Sequence, residues 1–354
     1  MAQKRVTSKD VAQLAGVSRT TVSFVLNNVE SIQISPETRQ KVLQAAIELG
    51  YVPDAAAQSL ASGRSKIIGL VLNRSPRHFA TDAYITQVLN VLVTEARKHG
   101  MRLLLEIVED NHPKETYLDL AISKRIDGII FSGPRFDDLA LQTLFDSGFP
   151  TVVMGKLPAT QFPYVDIDNR AAAHQAAAHL FKLGHTAVAC ITNAALSYTA
   201  AAERVQGYRD ALEEFGLPFD PGLVRYGDFD PESGYVQMEQ LLEQRPLPTA
   251  VFAASDVVAM GVIAAIKEHG LRVPDDIAVV GFDDVPLARY LDPPLTTIHL
   301  PTARMAQLAS DIVSDLIQKK APPEPFILLD TELVVRRSCG SDHPNKVISG
   351  DSPV

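Results

Sequence analysis

The stretch Thr7–Asn28, TSKDVAQLAGVSRTTVSFVLNN, decides the reading of this chain. It reads as two short helices joined by a tight turn. Ser8 can cap the first helix, and Asp10 lies in its first turn, where the helix dipole favours a negative charge. Val11, Leu14 and Ala15 supply an apolar stripe at helical spacing. Gly16 can take the positive φ that ends this helix, and Ser18 can cap the next. The second helix is two-faced. Val22, Val25 and Leu26 fall on one side, and Arg19, Thr20, Ser23, Phe24 and Asn27 on the other. A helix that needed only solubility would carry Glu/Lys pairs on that second face. Short polar groups with one Arg suit a helix lying in the major groove, where phosphate contacts position and base edges specify. The expected motif is a helix-turn-helix DNA reader.

Working outward, Ser35-Pro36-Glu37 supplies an N-cap, a Pro at the first helical position and an acidic first turn. The helix that follows packs through Val42, Ala45, Ala46 and Leu49 and ends at Gly50. Residues 1–50 therefore form a three-helix headpiece. Residues 51–65, YVPDAAAQSLASGRS, form a linker in which Pro53 and Gly63 bracket an alanine-rich stretch holding one large apolar side chain, Leu60. Alone it is too short to be a stable helix in water.

The run DVAQLAGVSRTTVSFVLN, residues 10–27, resembles the headpiece of the lactose/galactose-repressor family of bacterial transcription regulators. On the polar face, Arg19, Thr20 and Phe24 are the expected base readers, and Thr7, Ser18, Thr21, Ser23 and Asn27 the expected phosphate contacts. Phe24 stands where the family commonly has a basic residue, which suits a thymine methyl. The resemblance makes 51–65 a hinge helix that orders on specific DNA, with Ala57 and Leu60 in the minor groove and Leu60 as the wedge. Asp54 departs from the family's common Asn.

Charge is unevenly spread over the 354 residues. Residues 1–64 hold seven Lys/Arg against five Asp/Glu, a net +2, and the remaining 290 hold 26 against 37, a net −11. A weakly basic tip on an acidic body fits a module that docks one end on DNA. No apolar run is long enough for a membrane helix, and MAQKRVTSKD lacks a signal-peptide apolar region, so a cytoplasmic, nucleoid-associated protein is expected. Cys190 and Cys339 lie far apart with no CxxC pattern, which suggests neither a disulfide framework nor a zinc site. His174 and His179 are five apart, on different helix faces, and with His185 make a poor metal set.

From Lys66 onward, continuous apolar strands alternate with helices: KIIGLVL, MRLLLEIV, DGIIFSG, PTVVMGK, YVDID, TAVACIT, TAVFAAS, IAVVGFD and a final strand at FILLDTELVV. This pattern means parallel sheets covered on both faces, and its length calls for two α/β subdomains. The resemblance implies a type I periplasmic-binding-protein-like body with three crossovers, near Asp166, Thr296 and Leu329. The expected N-terminal effector subdomain is 66–165 with 296–325, and the C-terminal one 166–295 with 326–340. Residues 341–354 read as a disordered tail.

Enzyme motifs are missing: there is no GxGxxG, GxxxxGK[ST], HExxH or GxSxG. In open α/β sheets, ligands bind beyond the carboxyl ends of strands. Those ends give Ser255, Asp256, Asp283 and Asp284, and helix and loop starts add Tyr84, Arg204 and Phe229. Asp256 and Asp284 read more simply as helix caps, and Arg204 has the plain alternative of pairing with Glu203 or Glu213 on the surface. The resemblance sharpens the set. ERVQGY puts Arg204 in an effector cleft, VVGFDD does the same for Asp283, Phe229 falls where an aromatic ring often lies under a sugar, and Ser255 replaces a common Asn. The loop before Tyr84 is about five residues longer than usual in the family, whose many members have Asn-Pro-Phe-Phe at 82–85. MGKL at 154–157 replaces an acidic loop, so Lys156 could meet an anion such as a sugar phosphate.

The expectation is a non-enzymatic repressor that binds a palindromic operator as a homodimer, with pairing of dimers a further option. Its effector is expected to be a sugar or sugar phosphate, with a nucleoside or nucleobase as the alternative, and no cofactor is expected. The rival is a small-molecule binding or transport component, or an enzyme, on the same α/β fold. The headpiece, the hinge and the missing signal peptide argue against it.

Overall fold

The computed structural model describes residues 6–27, 32–52, 59, 63–108, 116–157 and 161–341. The hinge residues Ala57 and Leu60, and the tail from residue 342, lie outside the described residues. The chain divides into two compact units, residues 1–66 with 124–127, and the remainder.

In the first unit, α1 (Ser8–Ala15), α2 (Arg19–Leu26) and α3 (Pro36–Glu48) enclose a small core. Val11, Ala12, Val22, Val25, Val42, Ala45 and Ala46 are buried in it, with Ala15, Leu26 and Leu49 packed at its margin. Gly16 closes α1 at φ +67. Two details differ from the sequence reading. Thr7, not Ser8, is the N-cap of α1, and its backbone N–H donates to Asp10 at 2.8 Å, so Ser8 is already helical. Leu14 is 48% exposed, because the short helix turns Val11 and Ala12 inward instead.

The second unit holds two six-stranded sheets. Its first sheet contains β1 (Ile67–Asn73), β2 (Arg102–Val108), β3 (Gly128–Ser132), β4 (Thr151–Met154) and β5 (Tyr164–Ile167). The second contains β6 (Val188–Thr192), β7 (Val224–Tyr226), β8 (Ala250–Ala253), β9 (Ala278–Asp283) and β10 (Thr296–His299). The stretch read as one final strand is two: β11 (Phe326–Leu329) joins β5 in the first sheet, and β12 (Glu332–Val334) joins β10 in the second. The strand orders are β11-β5-β4-β3-β1-β2 and β12-β10-β9-β8-β6-β7, all parallel except the β10–β12 pair. Strands β3, β6, β8 and β9 are buried at every position, as sheets covered on both faces require.

The chain passes between sheets after Ile167, after His299 and after Leu329. Each passage follows the strand near which it was expected. Thus β5 and β11 stay with the first lobe and β10 with the second, and the domain boundaries shift by one strand. The helix α11 (Thr302–Ile317) returns to the first lobe, where a Cβ on Gly128 of β3 would lie 2.8 Å from Val313 and 2.9 Å from Ile317. Two other helices matter for the cleft, α7 (Asn169–Lys182) and α8 (Thr199–Glu214). They touch at Gly207, where a Cβ would fall 2.1 Å from the Arg170 carbonyl oxygen, so only glycine permits the approach.

The two cysteines are free and buried, and burial pushes the Cys190 thiol up to about 12. His174 meets Glu214, His179 meets Cys339 and His185 meets Thr249. Among the described residues, no three His, Cys, Asp or Glu side chains are placed to hold a metal, and no helix is long and apolar enough to cross a membrane.

Candidate functional site

The polar face of α2 is built as its sequence suggests. Ser18 caps the helix by accepting from the Thr21 N–H at 3.0 Å, and the two hydroxyls bond each other at 2.9 Å. Asn27 donates to the Ser23 hydroxyl at 3.1 Å. Arg19 and Thr20 are exposed, whereas Phe24 is half-buried at the edge of the same face. Thr7 is exposed, and its hydroxyl donates to Asp10.

In the second unit, a cavity lies between the carboxyl ends of the two sheets and encloses about 750 Å³ of empty space, part of it open to solvent. Tyr84, Arg204, Phe229, Ser255 and Asp283 line it, and Lys156 does not. Lys156 sits instead where its charge acts on Glu203, so the cation expected for an anionic ligand is missing from the lining.

Arg204 is buried, not on the surface with Glu203 or Glu213. Its Nε donates to Asn169 at 2.9 Å, its Nη1 donates to the Ala254 carbonyl at 2.7 Å, and its guanidinium lies over Phe282. Asp283 lies 3.8 Å from Arg204 Nη1, and the Ser255 hydroxyl beside it favours its charged form. Burial pushes its carboxyl up to about 7, opposed mainly by Arg204 and aided by the charge of Asp82. Asp166 is likewise raised to about 7 by burial, although Ile167 N–H and Asn169 donate to it. Tyr84 has its hydroxyl pushed up by burial, with Arg74 and Ser132 opposing the rise.

Neither Asp256 nor Asp284 is a helix cap. Ser255 caps α10 (Asp256–Glu268) by accepting from Val257 N–H. Asp256 reaches across to accept from Val285 N–H at 2.8 Å and from the Thr297 hydroxyl at 2.5 Å. It is held well above the usual carboxylate range by burial and by Asp283. Asp284 pairs with Arg336 at 2.6 Å and with His299 at 3.0 Å.

Phe229 lines the cavity, but its ring is already attended. The Arg74 guanidinium lies 4.4 Å from its centroid, Tyr198 meets it edge-on at 5.1 Å, and His78 is tilted toward it at 5.8 Å. Phe229, Asp283 and Asp284 all have positive φ, at 57°, 117° and 53°. Such strain in residues other than glycine concentrates where a site over-determines the backbone.

The sequence reading does not single out Arg74, Asn169, Asn193 or Tyr198, all of which line the cavity. Applying the strand-end rule to every strand would have found two of them. Arg74 directly follows β1 and Asn193 directly follows β6.

Residues 7–54 match the family described as bacterial regulatory proteins, lacI family, and residues 177–339 match the periplasmic binding protein-like domain. The HTH-type transcriptional regulator CelR of Thermobifida fusca is 37% identical over 340 residues, which is 95% of this chain and 99% of that protein. The structure of a transcriptional regulator CelR–cellobiose complex is similar at a TM-score of 0.71 and 34% identity, over 94% of this chain and 100% of that one. The lac repressor dimer bound to operator and the anti-inducer ONPF is similar at 0.81 and 31%, over 95% and 99%. A helix-turn-helix headpiece, a two-lobed α/β body and likeness over nearly the whole chain lead to one conclusion. The chain belongs to the lacI family of bacterial regulatory proteins and is a DNA-binding transcription regulator, not an enzyme.

Proposed function

We propose that this regulator is a cytoplasmic repressor that binds a palindromic operator as a homodimer and responds to a sugar-like effector in the cleft. The observation that carries this reading is the convergence of Arg204, Asp283, Asn169 and Ser255 with Tyr84 in one cavity between the lobes, in a chain resembling a cellobiose-bound regulator along its length. Hydroxyl groups donate to a carboxylate and accept from a guanidinium, so one site of this kind orients a polyol. On α2, Arg19, Thr20 and Phe24 read bases, while Thr7, Ser18, Thr21, Ser23 and Asn27 hold phosphates. Ala57 and Leu60 enter the minor groove. An effector touching both lobes changes DNA affinity only through its unequal affinity for two lobe arrangements.

A melting-temperature screen tests the effector class, with cellobiose, other sugars, sugar phosphates, nucleosides and nucleobases as its arms. A ligand at about 100 times its Kd stabilises the body by about 2.7 kcal/mol. A nucleobase or nucleoside as the sole hit overturns the sugar reading. Gel retention of a palindromic duplex at moderate salt tests the DNA arm, and sedimentation velocity reads the dimer.

A further inference from the structure

We propose that Asp82 sets the ligand class of the cleft. By holding Arg74 in a buried ion pair, it removes the cation that an anionic ligand would need and confines the cleft to neutral, hydroxyl-bearing ligands. This inference rests on the cleft being the effector site.

Arg74 follows β1, and Asp82 is the N-cap of α4 (Ala83–Lys98). Asp82 Oδ1 accepts from Ile85 N–H at 3.1 Å, and Oδ2 pairs with Arg74 Nη1. The side chains are 5% and 6% exposed, and both residues line the cavity. The carboxylate therefore does two jobs at once. It caps the start of the helix and it fixes the guanidinium.

Arg74 is pinned on its other side by the Phe229 ring, and its Nε has no hydrogen-bond partner among the described residues. It cannot swing out to meet a phosphate without leaving a buried carboxylate uncompensated, which is costly. Arg204, the other lining cation, is held in place by Asn169 and the Ala254 carbonyl and has Asp283 beside it at 3.8 Å as a counter-charge, leaving donors for hydroxyls but no unmatched positive charge. Three lining carboxylates, Asp82, Asp166 and Asp283, face these two guanidinium groups, and Lys156 stands outside. An added anion would be buried among groups that burial already disfavours in their charged form. A hydroxyl meets no such penalty.

The test uses the full chain without effector. Asp82→Asn keeps the side-chain shape and a good N-cap while leaving Arg74 without its counter-charge. Melting temperature is followed at pH 7.5 in inorganic phosphate and in sodium chloride of matched ionic strength. The variant is expected to gain at least about 3 °C more from phosphate over chloride than the wild type does, the wild-type difference measuring the general salt effect and any headpiece binding. Adding Arg74→Gln to Asp82→Asn should return the phosphate response to the wild-type level, which separates the extra gain from binding at the headpiece. Asp82→Ser, a second capping residue, should reproduce the gain if the Asn variant folds poorly. The inference is overturned if neither variant gains a phosphate response, if the gain survives Arg74→Gln, or if wild-type protein already responds through Arg74. Should phosphate bind the variant while no sugar binds the wild type, the effector assignment falls and the role of Asp82 stands.

Discussion

Arg204 Nη1 stands 3.8 Å from Asp283 Oδ1, beyond hydrogen-bond reach, while its guanidinium lies 3.7 Å from the centroid of Phe282. Arg204 is held by Asn169 and the Ala254 carbonyl, and the pair is not closed on itself, so Asp283 can take a ligand hydroxyl. Asp283→Asn should therefore abolish the response to effector. Ligand-free operator affinity should stay within about twofold, about 0.4 kcal/mol. Calorimetric titration of effector with and without operator measures both. By reciprocity, wild-type effector affinity changes with operator by the same factor that effector imposes on operator binding. If Asp283→Asn binds effector as tightly as wild type, the cleft assignment must move.

Arg19 is exposed at the N-terminal end of α2, beside the Ser18–Thr21 cap. Arg19→Ala should cost about 1–3 kcal/mol on the cognate operator and relax preference at one base pair. Competition binding over a panel of single-base operator variants reads this. Equal losses on operator and random DNA would reduce Arg19 to a phosphate contact.

Burial raises the Asp166 and Asp283 carboxyls to about 7, against an ordinary value of 3.8. Between about pH 4 and 7 the folded state then holds protons that the unfolded chain has released, so this stability is present at low pH and is lost as pH rises through 7. The loss is at most about 1.4 kcal/mol per pH unit for each group. Relative to wild type, Asp283→Asn should gain stability as pH rises from about 4 to 7 and level off above that. Denaturant titrations of the ligand-free proteins at several pH values measure the difference, and a flat difference would remove Asp283 from the account.

Gly207 lets α8 lie against α7, and a Cβ there would meet the Arg170 carbonyl oxygen at 2.1 Å. Gly207→Ala should destabilise the body by about 1–3 kcal/mol or more and shift Asn169 and Arg204, which sit on those two helices. Thermal melting reads the first effect and effector titration the second. An unchanged melting temperature would show that the helices can part at no cost.

Local signals carried well from sequence to structure. The Ser18 cap, the Gly16 turn and the Val22/Val25 stripe need only neighbours along one chain segment, and all three are present. Arg204 and Asp283 were legible for a similar reason, as they lie in runs that resemble a known family. The meeting of Arg74 with the Phe229 ring was not. The guanidinium comes from the first lobe and the ring from the second, 155 positions apart in the sequence, and no local pattern announces that meeting. Leu14 was misplaced because a helix of two turns presents several equivalent stripes, and only the packing of α2 and α3 chooses between them.

The three passages between sheets also bear on how the chain is made. The first lobe receives α11 and β11 only after nearly all of the second lobe has been synthesised. Until then Gly128 of β3 faces no Val313 or Ile317, and β5 lacks its outer neighbour. The headpiece, whose core is complete by Tyr51, is under no such delay. On the ribosome it can therefore fold as it emerges, whereas both lobes must wait for the last stretch of the chain. A nascent regulator would thus own its DNA-reading helix before it owns the cleft that governs it.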